Sequence, residues 1–241
     1  VLSHRPMGSD WHSSNLAIGF NKIANFHSDI YYEGKTIGTI TERFVNLADG
    51  LTSDQLDDFE AYPAYATGAI YDFDEDLLYE TDLYDQPDQQ VFKRQNIKQR
   101  GSVNELTFTW AGNYKNKMNI GFGIGVPFIS FEELKTYEEE DVNSEIEFFD
   151  KLLFTEYLNT SGTGLNFRGG FIFTPARVLR LGMSFQSPTW YFLTDDYYTD
   201  LTYGFTDNNG VQEYTEQSPE GSFRYKFTAP WIVTASAGTI Y

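Results

Sequence analysis

The side chains with the richest chemistry are few, and their spacing does not build a catalyst. His4, His12 and His27 are the only histidines, and the 241-residue chain has no cysteine. A thiol nucleophile, a disulfide framework and a Cys-ligated metal are therefore excluded. A Ser–His or Asp–His hydrolase would have to draw on imidazoles confined to the first 27 residues. Only His27 falls in a stretch that reads as strand, and Asp29 two residues on reads as loop polarity rather than half of a dyad. Asp72, Asp74 and Asp76 in DFDED (72–76) offer the hard oxygen ligands that calcium prefers, but the run lacks the glycine turn and distal Glu of a calcium loop. It reads, with YEEED (137–141) and LTDDYYTD (193–200), as a solvated acidic surface. Two sets then remain: the cations Arg168, Arg180, Arg224 and Lys226, which could meet a carboxylate, and Leu56, Phe59 and Tyr62, which could meet an apolar ligand.

What either set can do depends on the elements that carry it. In KMNIGFGIGVPF (117–128) every second residue is large and apolar: Met118, Ile120, Phe122, Ile124, Val126 and Phe128. Between them stand Asn119, Gly121, Gly123, Gly125 and Pro127. Side chains alternate faces along a strand, so one face is apolar and the other nearly bare. The same alternation predicts six strands, near 15–32 (with a slip at Lys22–Ile23), 102–113, 117–136, 163–173, 179–186 and 221–241. On this reading Arg168, Arg180, Arg224 and Lys226 all share the sparse face, where acids such as Glu105 are their structural partners. In the last strand Phe223, Tyr225, Phe227, Ala229, Trp231, Val233 and Ala235 are expected on one side.

The connections are lopsided. Asn113–Asn116 and Thr174–Arg177 read as tight polar turns, whereas 33–101, 137–160 and 198–220 read as long connections holding most of the acid. Within the first, Thr52 or Ser53 can cap a helix carrying Leu56, Phe59 and Tyr62, which Pro63 should end or kink. This helix either packs on its neighbours and shields the mouth of the sheet, or offers an apolar landing surface. The net charge of −18 argues against nucleic acid, whose binding needs excess Lys and Arg. No apolar run of about 18 residues is present, which excludes a transmembrane helix but not a transmembrane β-barrel, whose strands need only about ten alternating residues. Strands nearer six residues and symmetric loops would be expected of a water-soluble sandwich. The opening VLSHRPMGSDWHSSN has neither a start methionine nor a signal peptide and reads as the interior of a longer sequence.

LAIGFNKIANFHSDIYYEG (16–34), LTSDQLDDFEAYPAYATGAI (51–70), GNYKNKMNIGFGIGVPF (112–128), GTGLNFRGGFIFTPARVLRLGMSFQSPTWYFLTDDY (162–197) and FRYKFTAPWIVTASAG (223–238) together resemble the FadL/TodX-type outer-membrane transporters of long-chain fatty acids and other hydrophobic compounds, in their Bacteroidota-like form. The resemblance implies an all-β fold: an antiparallel transmembrane β-barrel of about fourteen strands, about six of them here, with short periplasmic turns and long extracellular loops. Residues 1–241 would be the central part of this single barrel domain, without the N-terminal hatch and the C-terminal strands. It further implies passive uptake of a hydrophobic small molecule across the bacterial outer membrane, with acidic loops at the cell surface. Leu56, Phe59 and Tyr62 would line a loop groove, and Arg168, Arg180, Arg224 and Lys226 the lumen. The implied partners are outer-membrane lipid, a hydrophobic ligand and other outer-membrane proteins, with no cofactor, metal or covalent step. Some relatives in that family are non-transporting subunits of secretion or assembly complexes, and Tyr191, Tyr197 and Tyr198 would suit such a partner surface or a lipid-headgroup girdle.

Overall fold

A computed structural model describes residues 1–4, 9–82, 90–143, 145–207 and 210–239. In chain order the elements are β1 (Leu2–His4), β2 (Trp11–Asn25), β3 (Ser28–Ile37), α1 (Thr41–Ala48), α2 (Ala61–Ala66) and β4 (Gln90–Tyr114). Then come β5 (Met118–Glu140), β6 (Phe149–Ala176), β7 (Leu179–Gln186), β8 (Thr189–Asp207), β9 (Gly210–Gln217), β10 (Gly221–Ala229) and β11 (Ile232–Thr239). All eleven strands join one antiparallel sheet. No helix among the described residues is long and apolar enough to cross a membrane.

Several strands lie end to end. β2 and β3 both run along β4, β7 and β8 along β6, and β9, β10 and β11 along β8 and β7. The chain therefore goes up and down in six long strands, with β1 as a short addition beside β2. The two edges do not pair with one another among the described residues, so the sheet is open.

Both expected tight turns form, the second shifted to Arg177–Val178 because Thr174–Ala176 still belong to β6. In the first, Lys115 and Asn116 take positive φ of 50° and 54°, and the Lys117 N–H closes the turn on the Tyr114 carbonyl at 3.0 Å. Two left-handed residues give a hairpin turn the twist of its strands, and asparagine tolerates that conformation better than most. Of the expected long connections, 137–160 and 198–220 are mostly strand instead, whereas 33–101 keeps a long stretch outside the sheet, with both helices, between β3 and β4. β5 continues to Glu140, β6 begins at Phe149, and β8 and β9 meet as a hairpin across Asp207 and Gly210. Their acidic residues lie on both faces of these strands: Glu138 and Glu140 on the outer face beside Arg94, and Glu139 buried on the other.

Register assigns each residue to a face. Gly123 stands opposite Thr109 and Arg168, and Gly125 opposite Thr107 and Asn166. Phe122 stands opposite Trp110 and Gly169, and Ile124 opposite Phe108 and Phe167. The Phe122 face carries a belt of exposed apolar side chains across β2, β4, β5, β6, β7 and β8, including Ile18 at 71 % and Phe122 at 60 % exposure. On β5 the belt runs from Met118 to Phe128, about 33 Å along the strand.

The belt ends at one level. Asn25, Ser102, Ser130, Ser161, Thr194 and Arg224 are successive register partners across six strands. Beyond that row the same face turns charged, with Arg94 held by Glu138 at 2.9 Å and Glu140 at 2.8 Å, and Arg100 by Asp29 at 2.9 Å.

The opposite, Gly123 face holds the buried core beyond the belt. Val91, Leu152, Phe154, Leu201 and Tyr203 pack there against Phe44 and Ala48 of α1, Ala61 and Ala64 of α2, and Leu56, Ile70 and Tyr79 of the connecting segment. Phe44 meets Phe154 edge to face at 5.5 Å. The helical segment is thus a cap seated on the Gly123 face at the end away from the tight turns.

Two serine–proline pairs bend the long strands. Proline has no N–H for the ladder, and where the ladder is interrupted the serine hydroxyl accepts an N–H from the facing strand. The Phe167 N–H donates to Ser187 Oγ and the Thr199 N–H to Ser218 Oγ, both at 2.9 Å. The extra residues at Ser187–Pro188, Ser218–Pro219 and Pro230–Trp231 shift the phase of the strand beyond them, and a one-residue slip moves every later side chain to the other face.

Candidate functional site

The polar centre of the Gly123 face lies between three strands. Glu105 on β4 is 2 % exposed and accepts from Arg168 Nη2 on β6, at 2.7 Å to Oε1 and 2.5 Å to Oε2. Asn166, also on β6, donates from Nδ2 to Glu105 Oε1 at 3.2 Å. β5 runs between β4 and β6, so these side chains must meet over its backbone. They meet over Gly125: a Cβ there would sit 1.9 Å from Glu105 Oε1 and 2.6 Å from Asn166 Oδ1. The glycine leaves room for a buried ion pair. Asn166 Oδ1 and Arg168 Nε remain buried without a hydrogen-bond partner.

Towards the tight turns this face stays sparse. Ala111, Gly121, Gly170, Gly182, Ser184, Thr234 and Ser236 form its floor, and Gly121 has no neighbour nearer than 3.6 Å to an added Cβ.

The four candidate cations separate. Arg168 and Arg180 share the Gly123 face, Arg180 pairing in register with Gly238 near the turns. Arg224 and Lys226 do not. They stand opposite Thr194 and Phe192, on the Phe122 face, and Lys226 Nζ lies 5.6 Å from the Phe192 ring centre. The expectation that all four share one face fails because the Pro230–Trp231 break reverses the phase between β10 and β11. Phe223, Tyr225 and Phe227 accordingly lie on the Gly123 face and Val233 and Ala235 on the other.

Leu56, Phe59 and Tyr62 also part company. The expected helix begins later, at Ala61, with Glu60 at its N-cap position, because the residues before it form a turn gathered around the Asp57 carboxylate. Asp57 accepts the N–H groups of Phe59, Glu60 and Ala61 at 3.0, 3.0 and 3.1 Å. Pro63 then falls in the first turn of α2, where a missing N–H costs nothing. Leu56 is buried in the core, Phe59 packs against Tyr197 at 5.1 Å, and Tyr62 is exposed. They belong to the cap but form no shared helical face.

The remaining candidates are engaged locally. His27 Nδ1 lies 2.8 Å from Asn25 Oδ1, and Asp29 pairs with Arg100. Asp72 accepts the N–H groups of Asp76 and Leu77, closing its own loop. Tyr191 stacks on Phe227 and Tyr198 on Tyr157.

Periodicity did not mark Glu139, which holds the cap down. Its carboxylate is fully buried and accepts from Thr39 Oγ1, from the Ile40 N–H at 2.9 Å and from Tyr137 Oη at 2.6 Å, with Lys93 Nζ at 3.8 Å. Ile40 is the residue from which α1 springs. Burial pushes the Glu139 carboxyl above the ordinary carboxylate range, against the pull of these donors. Asp82, bonded to the Tyr203 hydroxyl, is raised by burial in the same way. Acids whose pKa is higher in the docked cap than in the open one bind protons on docking. The cap is therefore held best in acid and loosens as pH rises from 4.5 through the raised value of Glu139. Amide exchange in α1, corrected for its intrinsic pH dependence, should quicken over that interval, and Glu139→Gln should remove most of the effect. A pH-independent rate would contradict the clamp.

Compared with protein-family models, curated proteins and solved structures, the chain matches none.

Proposed function

We propose that the sheet is part of the wall of a bacterial outer-membrane β-barrel through which hydrophobic small molecules, such as long-chain fatty acids, pass without an energy source. The observation that carries this reading is the pairing of an exposed apolar belt on one face with a face behind it on which small and polar residues predominate along β2, β4, β5, β6 and β7. Exposed apolar surface of this extent needs a cover, and its height fits a bilayer's hydrocarbon. In a bilayer each open edge would leave unpaired N–H and C=O groups at several kcal/mol apiece, so closure by further strands belongs to the proposal. The small-residue floor then becomes a passage, the helical segment its outer cap, and partition of apolar surface the driving force. Arg168 is committed to Glu105, which leaves Arg180, near the tight turns, as an exposed cation on this face without an ion-pair partner among the described residues.

Vesicles containing the protein should take up a fluorescent long-chain fatty acid faster than protein-free vesicles. No acceleration by protein that has demonstrably inserted would reject transport. A second reading, a non-transporting subunit of an outer-membrane complex, is favoured by one feature: strands with a charged outer face continue about 33 Å past the belt on β5, from Ser130 to Glu140. An inserted protein that transports nothing but holds a second outer-membrane protein in fixed stoichiometry would support it.

A further inference from the structure

We infer that the cations at the two ends of the apolar belt are seats for anionic lipid phosphates, which fix the depth of the protein in its bilayer. This deepens the membrane reading and rests on it.

The first observation is where carboxylates are missing. The protein carries 35 acidic residues, yet none lies between Tyr157 and Thr194 or between Gly221 and Tyr241. In the belt strands and tight turns the acids are Asp10 and Glu105, against Lys22, Lys115, Lys117, Arg168, Arg177, Arg180, Arg224 and Lys226. A chain with a net charge of −18 is locally basic where the belt lies.

The second observation is pairing. Beyond the belt, Arg43, Lys93, Arg94, Arg100, Lys135 and Lys151 each have a carboxylate partner, Lys35 and Lys98 being the exceptions. At the belt's ends Lys22, Lys117, Arg177, Arg224 and Lys226 are exposed and have no ion-pair partner among the described residues. Asp196, opposite Ser222, shares the face of Arg224 and forms no ion pair with it. Unpaired cations in so acidic a protein leave their anion to come from outside.

The third observation is spacing. Arg224 ends the polar row that closes the belt, and Lys226 reaches one step into it, with its ammonium over the Phe192 ring. A long cationic side chain beside apolar surface keeps its stem in the apolar layer and sends its charge to the interface. Along β6, from Ala176 beside the turn to Thr163, the register partner of Phe192, is about 43 Å of strand, or about 33 Å of height at barrel tilt. Along β5, from Lys117 to Phe128, it is about 36 Å, or about 28 Å of height. That matches the ~30 Å hydrocarbon core of a bilayer, so stems held at either end bring their charges to the head groups. Cations stand at both phosphate levels.

The test uses the detergent-solubilised protein and native mass spectrometry, with phosphatidylglycerol and phosphatidylcholine offered in equal amounts. Phosphatidylglycerol should be retained preferentially, and retention should fall roughly fivefold for each cation removed in Arg224→Gln/Lys226→Gln and in Lys117→Gln/Arg177→Gln. Lys35→Gln/Lys98→Gln should change nothing. Unaltered retention in both rim variants would overturn the proposal, as would displacement of the lipid by an equal concentration of inorganic phosphate. Protein that inserts into phosphatidylcholine vesicles yet shows no preference for phosphatidylglycerol defeats this inference alone. Protein that enters no vesicle defeats the membrane reading beneath it.

Discussion

Arg168→Met should cost the protein about 3 kcal/mol of stability, and adding Glu105→Gln should return most of it. Breaking a buried ion pair from one side typically costs 3–5 kcal/mol, because the abandoned charge stays buried without compensation. The low end applies because the two partners are unequally covered: the Glu105 side chain is 2 % exposed and the Arg168 side chain 41 %. In Arg168→Met, Glu105 keeps only the 3.2 Å bond from Asn166. Replacing the acid by a neutral amide removes the stranded charge, so the double variant should be more stable than the single one. Denaturant unfolding in lipid or detergent, followed by tryptophan fluorescence, gives the comparison. Equal destabilisation of single and double variants would mean that the pair contributes by packing rather than charge. Gly125→Ala approaches the same pair from below: its Cβ cannot coexist with the present Glu105 and Asn166 side chains. It should lose a comparable amount, and Glu105→Ala should partly rescue it.

Phe122→Arg should cost roughly 2–4 kcal/mol, the range for a cation on the lipid face near the midplane of a transmembrane barrel. Phe122 is 60 % exposed in the middle of the belt and stacks on Trp110 at 6.1 Å. The obvious control one residue along, Gly123→Arg, is compromised by geometry. Its Cβ would lie 2.9 Å from Thr109 Cγ2, and its charge would stand directly opposite Arg168. Gly121→Arg is the cleaner control, since that glycine faces the same way and has room around its Cβ. Folding into vesicles should be strongly impaired for Phe122→Arg and much less for Gly121→Arg. Similar losses for both would remove the distinction between the faces, and with it the membrane reading.

The pH-dependent cap and the rim cations probe other parts of the same arrangement. If the cap opens as pH rises while uptake stays constant, the cap lies outside the route. If both change together, docking of α1 gates entry to the sparse face.

Much of this was legible in one dimension. The alternation in 102–113, 117–128, 163–173 and 179–186 determined the strands, the two tight turns between them and the opposition of Phe122 to Gly123, because a pleated strand has an invariant period of two. The same period placed Glu105 and Arg168 on one face without saying that they touch. Contact needed the register of β4 and β6 across β5, and a glycine at the crossing. Where the period is interrupted, reading residue by residue fails. Ser–Pro and Pro–Trp breaks add residues whose effect on phase depends on the partner strand, so Arg224, Lys226 and Phe223 changed sides. Leu56, Phe59 and Tyr62 fit a helical spacing, yet the Asp57 carboxylate gathers the N–H groups of Phe59, Glu60 and Ala61 into a turn and the helix starts only after it. The acidic stretches 137–141 and 193–200 looked like loops because charge was taken for irregularity, when strands carry charge too, whereas DFDED (72–76) does lie outside the strands. Glu139 had no signal at all: one acid among many near Tyr137 became the anchor of α1 only when the chain folded back across about a hundred residues. Local periodicity is set by covalent geometry and survives in the sequence, whereas partners, phase after a bulge and the burial of a charge are properties of chains laid side by side.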